Sequence, residues 1–534
     1  MKIQTLQGIN FENKTTTVKA KLDRKVDYEI IEEIKAFHPI FLEKYTIENK
    51  NILIVQTKLP YLWQEIARVL NENIDLKSKR EKILKEIIQK QIKSMSTISV
   101  LQAAKEMDEE ITPFLKADGQ YERQYKIGCG KRSESTIFFS SSKDSAIARL
   151  IQTDKYLTNQ LTNRLNIPLA KWEIVPSKND LKEIFNQYTK PVVIKPTSLA
   201  GGHGVNTNIH SYQQALQAYE NAQEAIRSVT ELRRRSKIII QKQVQGEDFR
   251  LLVVDGKLEA VTKRVPAFVE GNGKSTVEEL IKETNKQEQR DTSNPTHTLK
   301  PISINQPLID YLKEQGLSLK HVPKNKEKIT VRKIASMSQG GITIDYTEKV
   351  SKHIKYICES IAQTINAYTL GVDIICQDIS KPLTIENGSL IEINTMPEAY
   401  LNLYPLIGKQ RPEIAKKFVK GLLKNKNKTK KIVIIGDIKQ HPILKGNTGV
   451  YYQNSIYINK ELINQNVETH KAIESLKLNS FLDNIVLHHK NISEAKKHGL
   501  GFDLIDELHF NKEYKKDINK LDKSLIKKYE IFNN

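Results

Sequence analysis

Residues able to do chemistry are concentrated between positions 150 and 400. The stretch VVIKPTSLAGGHGVNTNI, residues 192 to 209, places Lys195 on a β-branched run and follows it with Gly201, Gly202 and Gly204 before apolar alternation resumes. A dinucleotide fold would enter a helix directly after its glycines, and a Walker loop would end in Gly-Lys-Ser or Gly-Lys-Thr. The flanking strands instead predict a glycine flap whose backbone N–H groups close over a polyphosphate, with Lys195 adding a fixed positive charge. Further along, TLGVDIICQDI and SLIEINTMPE form the strongest constellation. Strand alternation puts Glu392 and Asn394 on one face, and pairing of the two runs would bring Asp373 beside them. Two carboxylates and an amide oxygen suit Mg²⁺, which favours one or two carboxylates plus nucleotide phosphates. The competing reading is the plain polar face of an antiparallel strand.

A second group lies in IIIQKQVQGEDFRLLVVDGKLEAVTKRV. Lys242 and Val244 stand where a strand leaves the core, a place where an adenine could stack and bond to backbone groups. Asp248 and Arg250 share one strand face and offer an acceptor for ribose hydroxyls beside a cation for a terminal phosphate. A surface ion pair is the alternative. In VRKIASMSQGGITIDYT, Arg332 precedes a second glycine loop with Ser338, Gly340 and Gly341, whose N–H groups could approach an oxyanion closely. A plain hairpin turn is the alternative there.

These residues need elements to position them. The chain has 534 residues, 39% hydrophobic and 28% charged, more than one hydrophobic core supports, so several domains are expected. An N-terminal α+β domain over 1–145 contains strand runs such as NILIVQTKL and an amphipathic pattern from Leu62 to about Met95. It leads through a glycine turn and a strand into a helix with Lys155 near its start. A central domain over 146–425 carries strand–turn–strand units marked by Asp255-Gly256, Asn272-Gly273 and Asn387-Gly388, chemistry that favours tight hairpins. The run QEQRDTSNPTHTLKPISINQ reads as an inserted loop. After the charged linker KNKNKTKK, IVIIGD opens a smaller α/β unit over 431–534.

The formal charge of +21 suits acidic small substrates, nucleoside phosphates or an anionic polymer. Nucleic acid is not expected as the main partner, because no recognised module accompanies lysines spread along solvated helix faces. The three cysteines, Cys129, Cys358 and Cys376, have no metal-ligand spacing. The N-terminus is unlike a signal peptide and no apolar run is long enough to cross a bilayer, so a cytoplasmic protein without a membrane partner is expected.

Lysine strand, glycine flap, connection with Asp248 and terminal acid–amide pair follow one another in an order that resembles the ATP-grasp superfamily. Within it the chain looks like the cyanophycin synthetase family over nearly its whole length, through KIQTLQGIN, YKIGCGK, GEDFRLLVVDGKLEAVTKRVPAFVEGNGKSTVEEL, MSQGGITIDYT and IEINTMPEAYLNLYP. The resemblance implies an α/β and α+β multidomain protein with an ATP-grasp domain that uses ATP and Mg²⁺. Lys155, Lys195, Gly201, Gly202 and Gly204 would bind phosphates; Gln241, Lys242 and Val244 would frame adenine and Asp248 would bind ribose. Asp373, Glu392 and Asn394 would hold Mg²⁺, and Arg250, Arg264 and Arg332 would neutralise the transferred phosphoryl or a substrate carboxylate. A simple two-residue turn at Asp255-Gly256 would set Lys263, not Arg264, opposite Asp248, so Arg264 requires a bulge.

Departures from the family are visible too. Ala200, Gly201, Gly202, His203 and Gly204 stand where the flap usually reads Asn-His-Gly-Arg-Gly, and Gln241 stands where Glu is usual. The family's second, Mur-ligase-like ATP site loses its lysine and hydroxyl residue in IVIIGDIKQHPILKGNTGVYY. A truncated Mur-ligase-like remnant and one working ATP site follow, as in the type that polymerises β-aspartyl-arginine dipeptides. The expected partners are an amino-acid or dipeptide substrate, a growing peptide and further copies of the chain. A small-peptide ligase of the glutathione type and a non-catalytic nucleotide-binding scaffold are the rival expectations.

Overall fold

The computed structural model describes residues 1–92, 94–115, 124–199, 202–229, 236–438 and 441–532. The chain divides into two compact units. One comprises Met1–Ser142, Ser293–Thr296 and Ala415–Asn534, the other Lys143–Thr292 and His297–Ile414. The two terminal segments, read separately in the sequence, thus share one unit. Among the described residues no helix is long and apolar enough to cross a membrane.

In the first unit an antiparallel sheet runs in the order Lys2–Leu6, Thr17–Lys21, Ile52–Gln56, Lys44–Glu48. The amphipathic pattern after Leu62 is not one helix. It breaks into Pro60–Leu70, Leu76–Glu81, a π-helical turn at Lys82–Ile88 and Gln89–Gln91, with Asp75 capping a fresh start by accepting from the Ser78 N–H. The IVIIGD run forms an interior strand, Lys430–Ile435, of a seven-stranded mixed sheet, parallel to Asn484–His489 on one side and Ile505–Asn511 on the other. Ile9 and Cys129 join one apolar core with Val433, Ile435, Leu487 and Phe502, and this shared core is why the termini form a single unit.

The second unit contains the sheets that carry the candidate residues. One is antiparallel, ordered Asn206–Ile209, Val192–Pro196, Ile238–Lys242, Trp172–Ile174. Helix Tyr212–Arg227, started by a Ser211/Gln214 capping box, lays Ala215, Ala218 and Ala222 against Val192, Ile194, Ile238 and Ile240. Alternation then turns Lys195 and Gln241 to the other face. The second sheet is also antiparallel and runs Ile342–Asp345, Lys257–Val265, Glu247–Val254, Thr369–Cys376, Gly388–Asn394. Phe249, Leu251, Val372 and Ile374 bury one face against Ile354, Ile357 and Ile361 of helix Lys352–Thr364. The opposite face bears Asp248, Arg250, Arg264, Asp373, Glu392 and Asn394.

Of the three expected tight hairpins only Asp255-Gly256 forms, with both residues at positive φ. Asn272-Gly273 instead leads toward helix Val277–Thr284, with Asn272 Oδ1 accepting from the Lys274 and Ser275 N–H groups. Asn387 ends a long connection, its side chain donating to the Asp378 and Pro382 carbonyls. The inserted run after Lys286 has little regular structure, but it buries Arg290, Leu299 and Ile302.

A buried ion cluster joins the terminal segments of the first unit. Glu110 accepts from Lys477 at 2.9 Å and from the Asp503 N–H at 2.9 Å, and lies 3.4 Å from Lys431. Lys58 pairs with Asp503 at 2.5 Å. Burial works against the Glu110 charge, but Lys477, Lys431 and Lys58 outweigh it and hold the carboxyl well below its usual range. Such a group contributes stability above its unfolded value of 4.5, and that contribution is lost as pH falls through the lower folded value. Glu110→Gln should therefore lower unfolding stability at neutral pH by about 3–5 kcal/mol and flatten the acid limb of a denaturation series. Unchanged stability and an unchanged acid limb would show that the cluster is not a fastening.

Candidate functional site

Two β-bulges decide which residues share the polar face of the five-stranded sheet. The register between Glu247–Val254 and Lys257–Val265 shifts after Leu252, so that Leu252 faces Ala260, Val253 faces Leu258 and Asp248 faces Arg264. This supplies the bulge that Arg264 requires and leaves Lys263 on the other side, opposite Phe249. A second shift sets Leu390 opposite Ile374 but Glu392 opposite Asp373. Leu390 thereby reaches the apolar core while Glu392 keeps the polar face.

The result is a layer of alternating charges. Arg264 donates to Asp248 Oδ1 from Nε at 2.9 Å and Nη2 at 2.6 Å, and from Nη2 to Asp373 Oδ2 at 3.1 Å. Arg250 Nε lies 2.6 Å from Asp373 Oδ1. Burial pushes the Asp248 carboxyl up. Burial also disfavours the Arg264 cation, yet Asp373 and Asp248 outweigh it and raise its pKa further. Both residues are held in one orientation by a network whose members cannot be removed singly without leaving a buried charge.

One lysine approaches from a helix and the other from the four-stranded sheet. Lys155 opens helix Lys155–Arg164 behind the Asp154 cap, donates to the Leu199 carbonyl at 2.7 Å and lies 3.8 Å from Glu392. Lys195 is 5% exposed, and among the described residues no acceptor or carboxylate pairs with its ammonium. Burial, then repulsion from Lys155, lower its pKa to about 8 against a smaller opposing pull from Glu392. A buried ammonium without a partner is a site awaiting an anion.

Of the flap glycines, Gly202 and Gly204 lie at φ +77° and +74°, a conformation that favours glycine; Gly201 lies outside the described residues. Gln241 is buried, Lys242 exposed and Val244 half-buried. The segment with Ser338, Gly340 and Gly341 is not a hairpin turn. It joins strands of two different sheets through a short 3₁₀ turn at Met337–Gln339. Gly340 is left-handed at φ +92° against Ile302, its carbonyl accepting from Arg290 Nη1 at 3.1 Å. Ser338 is exposed and contacts the Ser336 hydroxyl. Arg332 is committed elsewhere, donating to Asn305 Oδ1 at 2.9 Å and the Ser303 carbonyl at 2.6 Å. It braces that segment and has no contact with the carboxylate layer.

The donor set fits Mg²⁺ in part. Glu392 is half-buried and cross-strand from Asp373, and Asn394 Oδ1 accepts one bond, from the Met396 N–H at 2.9 Å. Both Asp373 oxygens already face arginines. Among the described residues no cluster of three His, Cys, Asp or Glu side chains could hold a metal alone, as expected where phosphates complete the sphere. Sequence reading missed Asn402, which is buried and donates to the Arg250 carbonyl at 2.9 Å and to Thr262 Oγ1 at 3.2 Å. It carries no motif signal. A cavity of about 400 Å³, lined by Glu247, Phe249, Tyr346 and Gln377 among others, opens away from these charges, since Glu247 and Phe249 alternate with Asp248.

Residues 153–268 match the family model of the phosphoribosylglycinamide synthetase ATP-grasp (A) domain. The cyanophycin synthetase of a Synechocystis strain is 33% identical over 287 residues, 54% of this chain and 32% of that protein. The glutathione biosynthesis bifunctional protein of Clostridium perfringens is 32% identical over 272 residues, 51% of this chain and 34% of its own. The crystal structure of a bifunctional glutathione synthetase from Pasteurella multocida aligns with TM-score 0.47 and 23% identity, covering 65% of this chain and 46% of that one. The second unit thus carries an ATP-grasp domain. The chain spans about a third of the length of the curated relatives it matches, and those matches cover about half of it, not nearly all.

The environment of Lys195 predicts a measurable titration. In ¹⁵N-lysine NMR one ammonium should titrate near 8, Lys195→Met should remove that signal, and added triphosphate should raise its midpoint. A ligand-free midpoint near the ordinary 10.5 would contradict the burial argument.

Proposed function

We propose that this chain is an ATP-dependent carboxylate–amine ligase that forms peptide bonds, on cyanophycin or a related peptide polymer, from amino acids or β-aspartyl-arginine dipeptides. The observation that carries it is the facing of two buried lysines, one of them unpaired, across from the carboxylate–arginine layer of the five-stranded sheet. The cyanophycin synthetase relatives support the substrate class.

In this reading Lys155, Lys195 and the flap around Gly202 and Gly204 hold the ATP phosphates, Gln241, Lys242 and Val244 frame the base, and Asp248 receives the ribose. Glu392 and Asn394, with Asp373 behind them, would hold magnesium, whose charge would neutralise the phosphates. A substrate carboxylate oxygen attacks the γ-phosphorus, the bond to the β-phosphate oxygen breaks, and ADP leaves. Arg250 and Arg264 neutralise the charge on the transferred group. An amine nitrogen then attacks the acyl carbon, phosphate departs and the nitrogen gives up a proton, leaving an amide. Exclusion of water by the closed flap protects the acyl phosphate from hydrolysis. Positioning and fixed charge supply the rate.

A second reading, a small-peptide ligase of the glutathione type, draws on the Clostridium perfringens relative, which matches nearly as well. The two separate in one assay. ADP release is measured with β-aspartyl-arginine, with aspartate plus a peptide primer, and with γ-glutamylcysteine plus glycine, and the product is weighed by mass spectrometry. The first or second substrate set should be preferred. Lys195→Met and Glu392→Gln should each lower turnover about 10²–10³-fold. Wild-type protein that binds ATP but releases no ADP with any pair would overturn the ligase reading in favour of a scaffold.

A further inference from the structure

We propose that Gly371 is a positioning residue that sets the guanidinium of Arg250 against the transferred phosphoryl group. The inference rests on the ligase reading above. Gly371 lies inside strand Thr369–Cys376, opposite Asn394 on one side and Leu252 on the other. Its φ is outside the left-handed range, so the backbone does not require glycine there. A glycine inside a strand weakens it and marks a place where another group must come close.

That group is a side chain rather than a backbone. A Cβ on Gly371 would meet Arg250 Nη1 at 2.5 Å, Pro397 Cβ at 3.2 Å and Arg250 Cδ at 3.5 Å. Two glycines nearby differ in kind. A Cβ on Gly388 would meet the Ile375 carbonyl oxygen at 2.4 Å, and one on Gly246 the Cys376 carbonyl carbon at 2.3 Å. Those two serve backbone packing, which cannot yield. At Gly371 the main obstacle is the far end of a flexible arginine, so a methyl group is accommodated if the guanidinium moves by about 1 Å, the shortfall from ordinary contact distance, and Pro397 gives by a few tenths of an ångström.

Where Arg250 would move from is defined by its other partners. Nε lies 2.6 Å from Asp373 Oδ1, and Asn402 Nδ2 holds the Arg250 carbonyl. Nη1 is buried and has no acceptor among the described residues. The guanidinium therefore lies against Gly371 with Nη1 unspent, on the face that carries Glu392 and Asn394. Displacement of a fixed donor by about 1 Å from a developing charge is enough to lose about 10²-fold in rate.

The test is Gly371→Ala in the full chain, with ADP release and ATP and ADP binding measured beside wild type. The variant should fold, turn over about 10²-fold more slowly with KM for ATP changed less than about threefold, and bind ATP over ADP with about tenfold less preference. In an Arg250→Ala background the same change should have no further effect, because it acts through that arginine. Full activity with unchanged ATP preference, or losses that multiply in the double variant, would overturn the assignment. Should Gly371→Ala not fold, Arg250→Lys, which lacks Nη1, should restore folding. Failure to restore it would make Gly371 a packing glycine. A wild type that binds ATP without releasing ADP overturns the ligase reading instead, and the ATP-to-ADP preference then still decides on Gly371.

Discussion

Everything at the candidate site depends on a sheet that keeps apolar residues on one face and ions on the other. Asp248, Arg264, Asp373 and Arg250 form a chain of contacts between 2.6 and 3.1 Å, which the dry environment makes strong and costly to break. Behind them Phe249, Leu251, Val372 and Ile374 are almost fully buried. Strict alternation would not produce this division. Two inserted residues, Glu259 and Ile391, shift the register so that Arg264 reaches Asp248 and Glu392 reaches Asp373. Without them the strands would trade core residues for charges.

Opposite this layer stand two buried lysines whose charge is only partly balanced among the described residues. Lys155 finds a carbonyl and Glu392, whereas Lys195 stands buried beside it without a partner among the described residues, its pKa lowered. Two ammonium groups held this close gain most from a ligand of several negative charges, since each phosphate oxygen relieves both repulsion and lost hydration. The same reasoning explains why Asp373 need not be free. Paired with arginines, it fixes both cations on the face that also bears Glu392 and Asn394.

The first unit solves a different problem. Its N- and C-terminal segments are separated by the second unit in sequence, yet Ile9 and Cys129 share a core with Val433 and Phe502, and Glu110 gathers lysines from both segments. A charge buried at 3% exposure is tolerated only because its partners are in place, so the cluster specifies how the segments join more than it adds net stability.

The local chemistry was legible in the residues. Lys195 on a β-branched run before glycines, the Glu392–Asn394 spacing and Asp255-Gly256 as a hairpin are short-range patterns, and each takes the predicted local form. Asn272-Gly273 and Asn387-Gly388 misled, because side-chain bonds from Asn272 and Asn387 to nearby backbone drew them into other turns. Arg332 misled for a related reason: spacing shows that a cation is near a glycine loop, not which carbonyl claims it. By itself, the sequence determined the order of the elements and which charged and polar residues share a strand face, since these follow from alternation and turn chemistry along a few positions. Only the tertiary structure decided that Arg264 meets Asp248, that Asn402 and Gly371 frame Arg250, and that Lys195 finds no partner among the described residues, because bulges, burial and long-range contacts depend on neighbours far away in the chain.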